Sequence, residues 1–263
     1  MSSPSPASQV IDAQTSDAAP KTVVLVAHGQ PSAPNPPEHS LAQLAEQVAS
    51  FLPGWQVRSA TLAQPGRLEQ VMQPGALVYP FFMAEGWFTG KVLPKRICHV
   101  DHRQLPPFGQ DPNLPELAAR LVRQARTAQG QPFEAAYGSA SGSASDSGSD
   151  PSAPGCLLLA AHGSARGPKA AAATELFATA LRPLLPELEV RTAYIEQAPY
   201  LADVASNMPS GSLCLPFFAQ SGDHVKGDIP EALSSAKFDG SVLPALGTTP
   251  EVARLIAKAI QRA

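Results

Sequence analysis

The chain has 263 residues, 44% of them hydrophobic, with 19 Lys+Arg against 22 Asp+Glu and a net charge of −3. That balance leaves no basic stripe to neutralise phosphates, which excludes a nucleic-acid partner. No apolar run approaches the roughly 20 residues needed to cross a bilayer, so no membrane partner is expected either. The three cysteines, Cys98, Cys156 and Cys214, form no C-x-x-C pair of the kind that holds zinc or an iron–sulfur cluster.

Met1 to Pro20 is Ser/Ala/Pro/Asp-rich, with neither the basic nor the apolar region of a secretory signal, and reads as a disordered tail of a cytoplasmic protein. From residue 21 short apolar runs alternate with amphipathic stretches. Thr22 to Ala27 and Trp55 to Thr61 predict strands, with a helix from about Pro37 to Leu52 between them. Pro65 to Met72 predicts a helix, Gly75 to Pro80 a strand and Asn113 to Ala128 a closing helix. Tyr137 to Pro154 is almost wholly Ser, Gly and Ala, and too little of it is apolar to offset its ordering entropy. It predicts a flexible linker (137–154) between a first half (21–136) and a second (155–263).

The second half repeats the order. Cys156 to Ala161 is a continuously apolar run suited to a strand buried on both faces. A helix opened by Pro168 places Leu176, Phe177, Ala180, Leu181 and Leu184 at helical spacing. Leu188 to Tyr194, Gly211 to Phe217 and Ser241 to Ala245 predict strands; Pro199 to Ser206 and Pro230 to Ala236 predict helices. Thr249-Pro250-Glu251 has the composition of an N-cap, an N1 proline and a first-turn acid. The helix it opens carries Val252, Leu255, Ile256, Ala259 and Ile260 as one apolar stripe.

The match is a repeat of sequence as well as of pattern. Val23 to Gly29 (V-V-L-V-A-H-G) recurs as Leu157 to Gly163 (L-L-L-A-A-H-G), Pro80-Phe81-Phe82 as Pro216-Phe217-Phe218, Pro94 as Pro230, and Gly109 to Pro112 as Gly247 to Pro250. An α/β unit of this kind, duplicated, predicts two tandem doubly wound parallel sheets with a cleft between them. Ligands of such sheets bind beyond the carboxyl ends of the strands. His28 and His162 each fall just past a strand end, Glu196 past the next strand, and His224 past the third. Counting along the repeat sets Glu196 against Leu62 and His224 against Phe88, so one copy holds the complete polar set.

Two imidazoles and a carboxylate suit borderline first-row ions rather than Mg²⁺. Taken singly, each histidine is better read as a loop residue bonded to backbone; convergence on one sheet edge is what favours function. His99 and His102 form an H-x-x-H on a segment read as surface loop, and His39 falls in an exposed first helical turn. Gly163 to Lys169 resembles a phosphate loop only superficially, so no nucleotide is expected.

The A-H-G-S opening, Ile195-Glu196-Gln197-Ala198-Pro199, and the P-F-F-A-Q-S-G-D-H-V-K-G-D-I-P block from Pro216 to Pro230 resemble the ATP-independent (class II) tetrapyrrole chelatases of the CbiX/SirB type. The resemblance spans both halves and implies insertion of Co²⁺ or Fe²⁺ into sirohydrochlorin, in cobalamin or sirohaem biosynthesis. It implies no cofactor beyond that metal, and as partners only the tetrapyrrole and the ion, with homodimerisation left open. It also implies His162, Glu196 and His224 as the residues that handle metal and protons. His28, Ser164, Trp87, Phe88 and Lys226 would contact the macrocycle, Arg166 and Lys169 being further cations for its carboxylates. Two readings compete. A histidine phosphatase is disfavoured because Ala27 and Ala161, not arginines, precede the histidines. A chelatase homologue that binds tetrapyrrole or metal without insertion is favoured by the degenerate first half and opposed by the intact second.

Overall fold

The computed structural model describes residues 21–128, 155–165 and 167–263. The tail, the Tyr137–Pro154 linker and Arg166 lie outside the described residues. In the first half β1 (Lys21–Ala27), β2 (Trp55–Thr61), β3 (Ala76–Pro80) and β4 (His102–Gln104) form a parallel sheet of order β2-β1-β3-β4. Its helices are α1 (Asn35–Ser50), α2 (Arg67–Val71), α3 (Leu93–Ile97) and α4 (Leu114–Ala128). The second half has β5 (Gly155–Ala161), β6 (Leu188–Tyr194), β7 (Ser212–Pro216) and β8 (Gly240–Val242) in the order β6-β5-β7-β8. Its helices are α5 (Lys169–Leu181), α6 (Leu201–Ala205), α7 (Ile229–Ser235) and α8 (Val252–Gln261).

The continuous apolar runs of β1 and β5 are explained by the two faces they cover. Val23, Leu25 and Ala27 join a large core shared by both halves, while Val24 and Val26 pack under α2 and α3. Leu157, Leu159 and Ala161 enter the same shared core, and Leu158 and Ala160 pack with residues of α6 and α7. Side chains alternate across a strand, so period 2 sorts one run into two layers. The shared core is the region where α1 packs on α8 and α4 on α5. Each side chain fully buried there contributes about 1.5–3 kcal/mol. The two halves are thus welded face to face.

Several sequence expectations need correction. His102 opens β4, a strand not read from the sequence, and its Nδ1 lies 2.7 Å from the Val100 carbonyl. Three residues are too short to show a period. The buried stripe of α5 is Thr174, Phe177, Ala178 and Leu181, whereas Leu176 is 73% exposed. The stripe keeps its i, i+3, i+4, i+7 spacing, but half of it consists of small residues that a count of large apolar side chains overlooks. Thr249 does not cap α8: its hydroxyl donates back to the Leu246 carbonyl at 3.2 Å. Glu251 takes the N-cap position, with no side-chain cap bond.

Candidate metal centre

The order β6-β5-β7-β8 reverses direction between β5 and β7, and the crevice at such a switch point is where ligands of open α/β sheets bind. The chain leaves β5 through His162 and turns at Gly163, whose φ is +73°. A Cβ there would sit 2.7 Å from Gln197 Cγ, so glycine alone allows the loops after β5 and β6 to close on each other. Backbone bonds extend the β5–β6 pairing past the sheet: Ile195 N–H donates to Ala161 O at 3.0 Å and Glu196 N–H to His162 O at 3.0 Å. Glu196 is thereby held beside His162. After β7 the chain forms a π-helical turn, His224–Asp228, closed by the Ile229 N–H on the His224 carbonyl. Buried Val225 and Ile229, four apart, anchor one side of this turn. His224 and Asp228, also four apart, share the other. Single π turns of this kind concentrate at functional sites.

His162 and His224 meet ring edge to ring face, with centroids 4.4 Å apart and their Nε2 atoms at 2.9 Å. His162 Nδ1 lies 2.9 Å from the Gly163 carbonyl, and His224 Nδ1 2.5 Å from Asp228 Oδ2. Both of those partners are acceptors, so each Nδ1 is placed to donate and each Nε2 is left on the side of the other ring. At 2.9 Å the two Nε2 atoms are close enough to share a proton or to bind one cation together. With metal–imidazole bonds of about 2.1 Å, that separation subtends roughly 90° at the ion; tetrahedral ligation would need about 3.4 Å. The pair therefore fits two adjacent corners of a square or octahedral ion, leaving the other corners to incoming ligands. Glu196 Oε2 lies 3.6 Å from His162 Nδ1, beyond hydrogen-bond range but near enough to offset positive charge. The ligand atoms of His162, Glu196 and His224 all fall within 4.8 Å of one another.

The first half preserves this architecture without its chemistry. His28 Nδ1 meets the Gly29 carbonyl at 2.7 Å, and Phe88 packs on His28 with centroids 4.2 Å apart at 81°, the arrangement His224 has with His162. Phe88–Val92 forms the matching π turn. Phe88 is thus the counterpart of His224, as the sequence repeat implies. The expected pairing of Glu196 with Leu62 is one residue out of register. Ala63 N–H donates to His28 O and Leu62 N–H to Ala27 O, so Ala63 occupies the Glu196 position and Leu62 that of Ile195. The second copy has one residue fewer between its histidine and this point, which a count of fixed offset overlooks.

The two strand-end edges face a shared cleft of about 1140 Å³, lined by His28, Phe88, His162, His224 and Lys226 among others. Its size exceeds the roughly 300–1,000 Å³ of ordinary small-molecule sites. Ser164 and Trp87 are not part of its lining. The Ser164 N–H donates to Gln197 Oε1 at 2.7 Å, and Trp87, 68% exposed, stands edge-on to Phe88 with centroids 5.1 Å apart. Lys169 is exposed and also outside the lining, while Lys226, equally exposed, borders the cleft. Asp228 was not singled out from the sequence, although its place in H-V-K-G-D, four residues after a candidate ligand, was the available signal.

Two similar α/β lobes thus face a common cleft, with imidazole nitrogens and a carboxylate gathered at the strand ends of one lobe. Comparison with known proteins agrees. The CbiX family model matches residues 156–263, the half with the complete set. The solved structure of CbiX, described as the terminal enzyme for biosynthesis of siroheme in denitrifying bacteria, is 40% identical, with a TM-score of 0.78 over 92% of this chain and 99% of that one. The chain belongs to the CbiX family. Two more distant structures share the fold. SirB from Bacillus subtilis, with Fe³⁺, is 15% identical with a TM-score of 0.69 over 92% of this chain and 94% of that one. A multi-domain Deinococcus radiodurans protein with structural similarity to chelatases is 22% identical with a TM-score of 0.63, over 92% of this chain and 54% of that one. No curated protein matches the sequence.

Proposed function

We propose that the protein inserts a divalent metal, Co²⁺ or Fe²⁺, into sirohydrochlorin without ATP, using His162, His224 and Glu196. The observation that carries this reading is the pair of Nε2 atoms 2.9 Å apart at the edge of a cleft large enough for a macrocycle. Membership of a family that includes an enzyme of siroheme biosynthesis supplies the substrate class.

Insertion exchanges an ion's existing ligands for four pyrrole nitrogens and releases two N–H protons, with no redox change. His162 and His224 hold the ion by two adjacent positions, so the ring nitrogens enter from the open side. As each metal–imidazole bond breaks, the freed Nε2 lone pair becomes a proton acceptor, and imidazole ordinarily changes charge near neutral pH. Glu196 offsets the positive charge while the ion is held and the imidazolium charge afterwards. In the first half, Phe88 and His28 form the facing wall for the flat ring. Lys226 pairs with a peripheral carboxylate.

The test is anaerobic insertion of Co²⁺ or Fe²⁺ into sirohydrochlorin, followed by absorbance against the uncatalysed rate. A general base typically supplies ~10²–10⁴-fold. His162→Ala and His224→Ala should each lower the accelerated rate by a factor in that range at equal folded fraction. Folded wild-type protein that binds the macrocycle yet gives no acceleration with either ion would replace insertion by simple tetrapyrrole carriage.

A further inference from the structure

His224 does not aim itself. Its ring sits on a short π turn and is 38% exposed, and Asp228 Oδ2 at 2.5 Å is the acceptor that its Nδ1 meets among the described residues. Without an acceptor there, the imidazole is free to turn about its outer torsion and to place its proton on either nitrogen. Only one combination leaves an Nε2 lone pair facing His162. The first half supplies an independent observation: the positions equivalent to His224 and Asp228 in its matching π turn are Phe88 and Val92. The carboxylate is absent from the copy in which the imidazole is absent, as expected if it serves the ring and not the turn, since the turn forms without it.

We propose that Asp228 is a positioning residue for His224, fixing the Nδ1–H tautomer and ring rotation that direct Nε2 to the metal. The proposal rests on the reading of His162 and His224 as metal ligands. Its physical basis is population: apparent affinity falls by the fraction of molecules whose site is competent. Carboxylates that orient ligand histidines typically carry 10–100-fold in metal affinity. Asp228 acts through His224 and touches no reacting atom.

Two readouts on the full chain separate this role from a structural one. In metal-free, ¹⁵N-histidine-labelled protein, Asp228→Ala should move the His224 resonances from the Nδ1–H pattern to a mixture of tautomers. In a Co²⁺ titration followed by visible absorption, the same variant should bind about 10–100-fold more weakly. Its KM for sirohydrochlorin should stay unchanged while its KM for metal rises. Introduced into His224→Ala, Asp228→Ala should change Co²⁺ affinity by less than about twofold, because the two residues act as one unit. Unchanged affinity in the single variant overturns the proposal, as does an equal loss in the His224→Ala background. If His162→Ala also leaves Co²⁺ binding intact, the metal-site reading falls. If His162→Ala abolishes binding and Asp228→Ala does not, only the positioning role falls.

Discussion

At the scale of single residues, burial decides which reactive groups are available. The Cys214 thiol is fully enclosed, and burial pushes it up to about 12. Burial also raises the Cys156 thiol, with the nearby Glu189 carboxylate adding to the effect. Cys98 is exposed. Thiolate is the reactive form, so a disulfide reagent at neutral pH should titrate one thiol in native protein and three after unfolding. Two fast thiols in the native state would contradict the packing around β5 and β7. Glu69 behaves oppositely: hydrogen bonds from Arg96 at 2.8 Å hold its carboxyl below the ordinary carboxylate value. A depressed folded-state value means that the pair stabilises the fold above the unfolded carboxyl's pKa of ~4.3, and that this is lost as pH falls through the folded value. Both side chains are partly exposed, 24% and 39%, so solvent screening limits the contribution to under about 1 kcal/mol. Glu69→Gln should lower urea stability by that small amount at pH 7 and converge with wild type in acid.

At the scale of elements, the duplicated histidine–π-turn unit predicts how the lost site can be rebuilt. Three changes are needed, Ala63→Glu, Phe88→His and Val92→Asp, because backbone pairing puts Ala63, not Leu62, beside His28. The triple variant should take up a second equivalent of Co²⁺ when bound metal is counted after equilibrium dialysis. A variant with Leu62→Glu in place of Ala63→Glu should bind more weakly at that second site; the reverse order would show the structural register to be wrong. The elements themselves were legible where an apolar run or stripe extended over enough residues, as in β1, β5 and α8. β4 was not legible; the helix α5 was, but not its buried face, which includes Thr174 and Ala178.

At the scale of the whole molecule, the halves are joined by contacts between residues far apart in sequence. Arg262, at the end of α8, pairs at 2.8 Å with Asp111, which is 8% exposed and precedes α4. Arg254 lies over the Phe51 ring at 5.3 Å, and Arg123 of α4 donates to the Leu184 carbonyl. With a common core beneath these contacts, urea should unfold both halves in one transition. Arg262→Ala leaves a buried carboxylate short of a partner and should cost about 1–3 kcal/mol, shifting the midpoint without splitting the curve. Two transitions would mean that the shared core does not couple the halves.

The sequence by itself determined the repeat, the parallel α/β class and the identity of the three side chains that converge beyond β5, β6 and β7. Those features follow from local periodicity and from the rule that places ligands at strand ends, and neither needs a partner across the cleft. Only the tertiary structure decided the rest. It placed Asp228 on His224 and Ala63, not Leu62, in the position equivalent to Glu196, left Trp87 out of the cleft lining, and brought two Nε2 atoms to 2.9 Å. Each depends on side-chain direction and on hydrogen-bond register between segments distant in the chain, which spacing along one strand or helix does not encode.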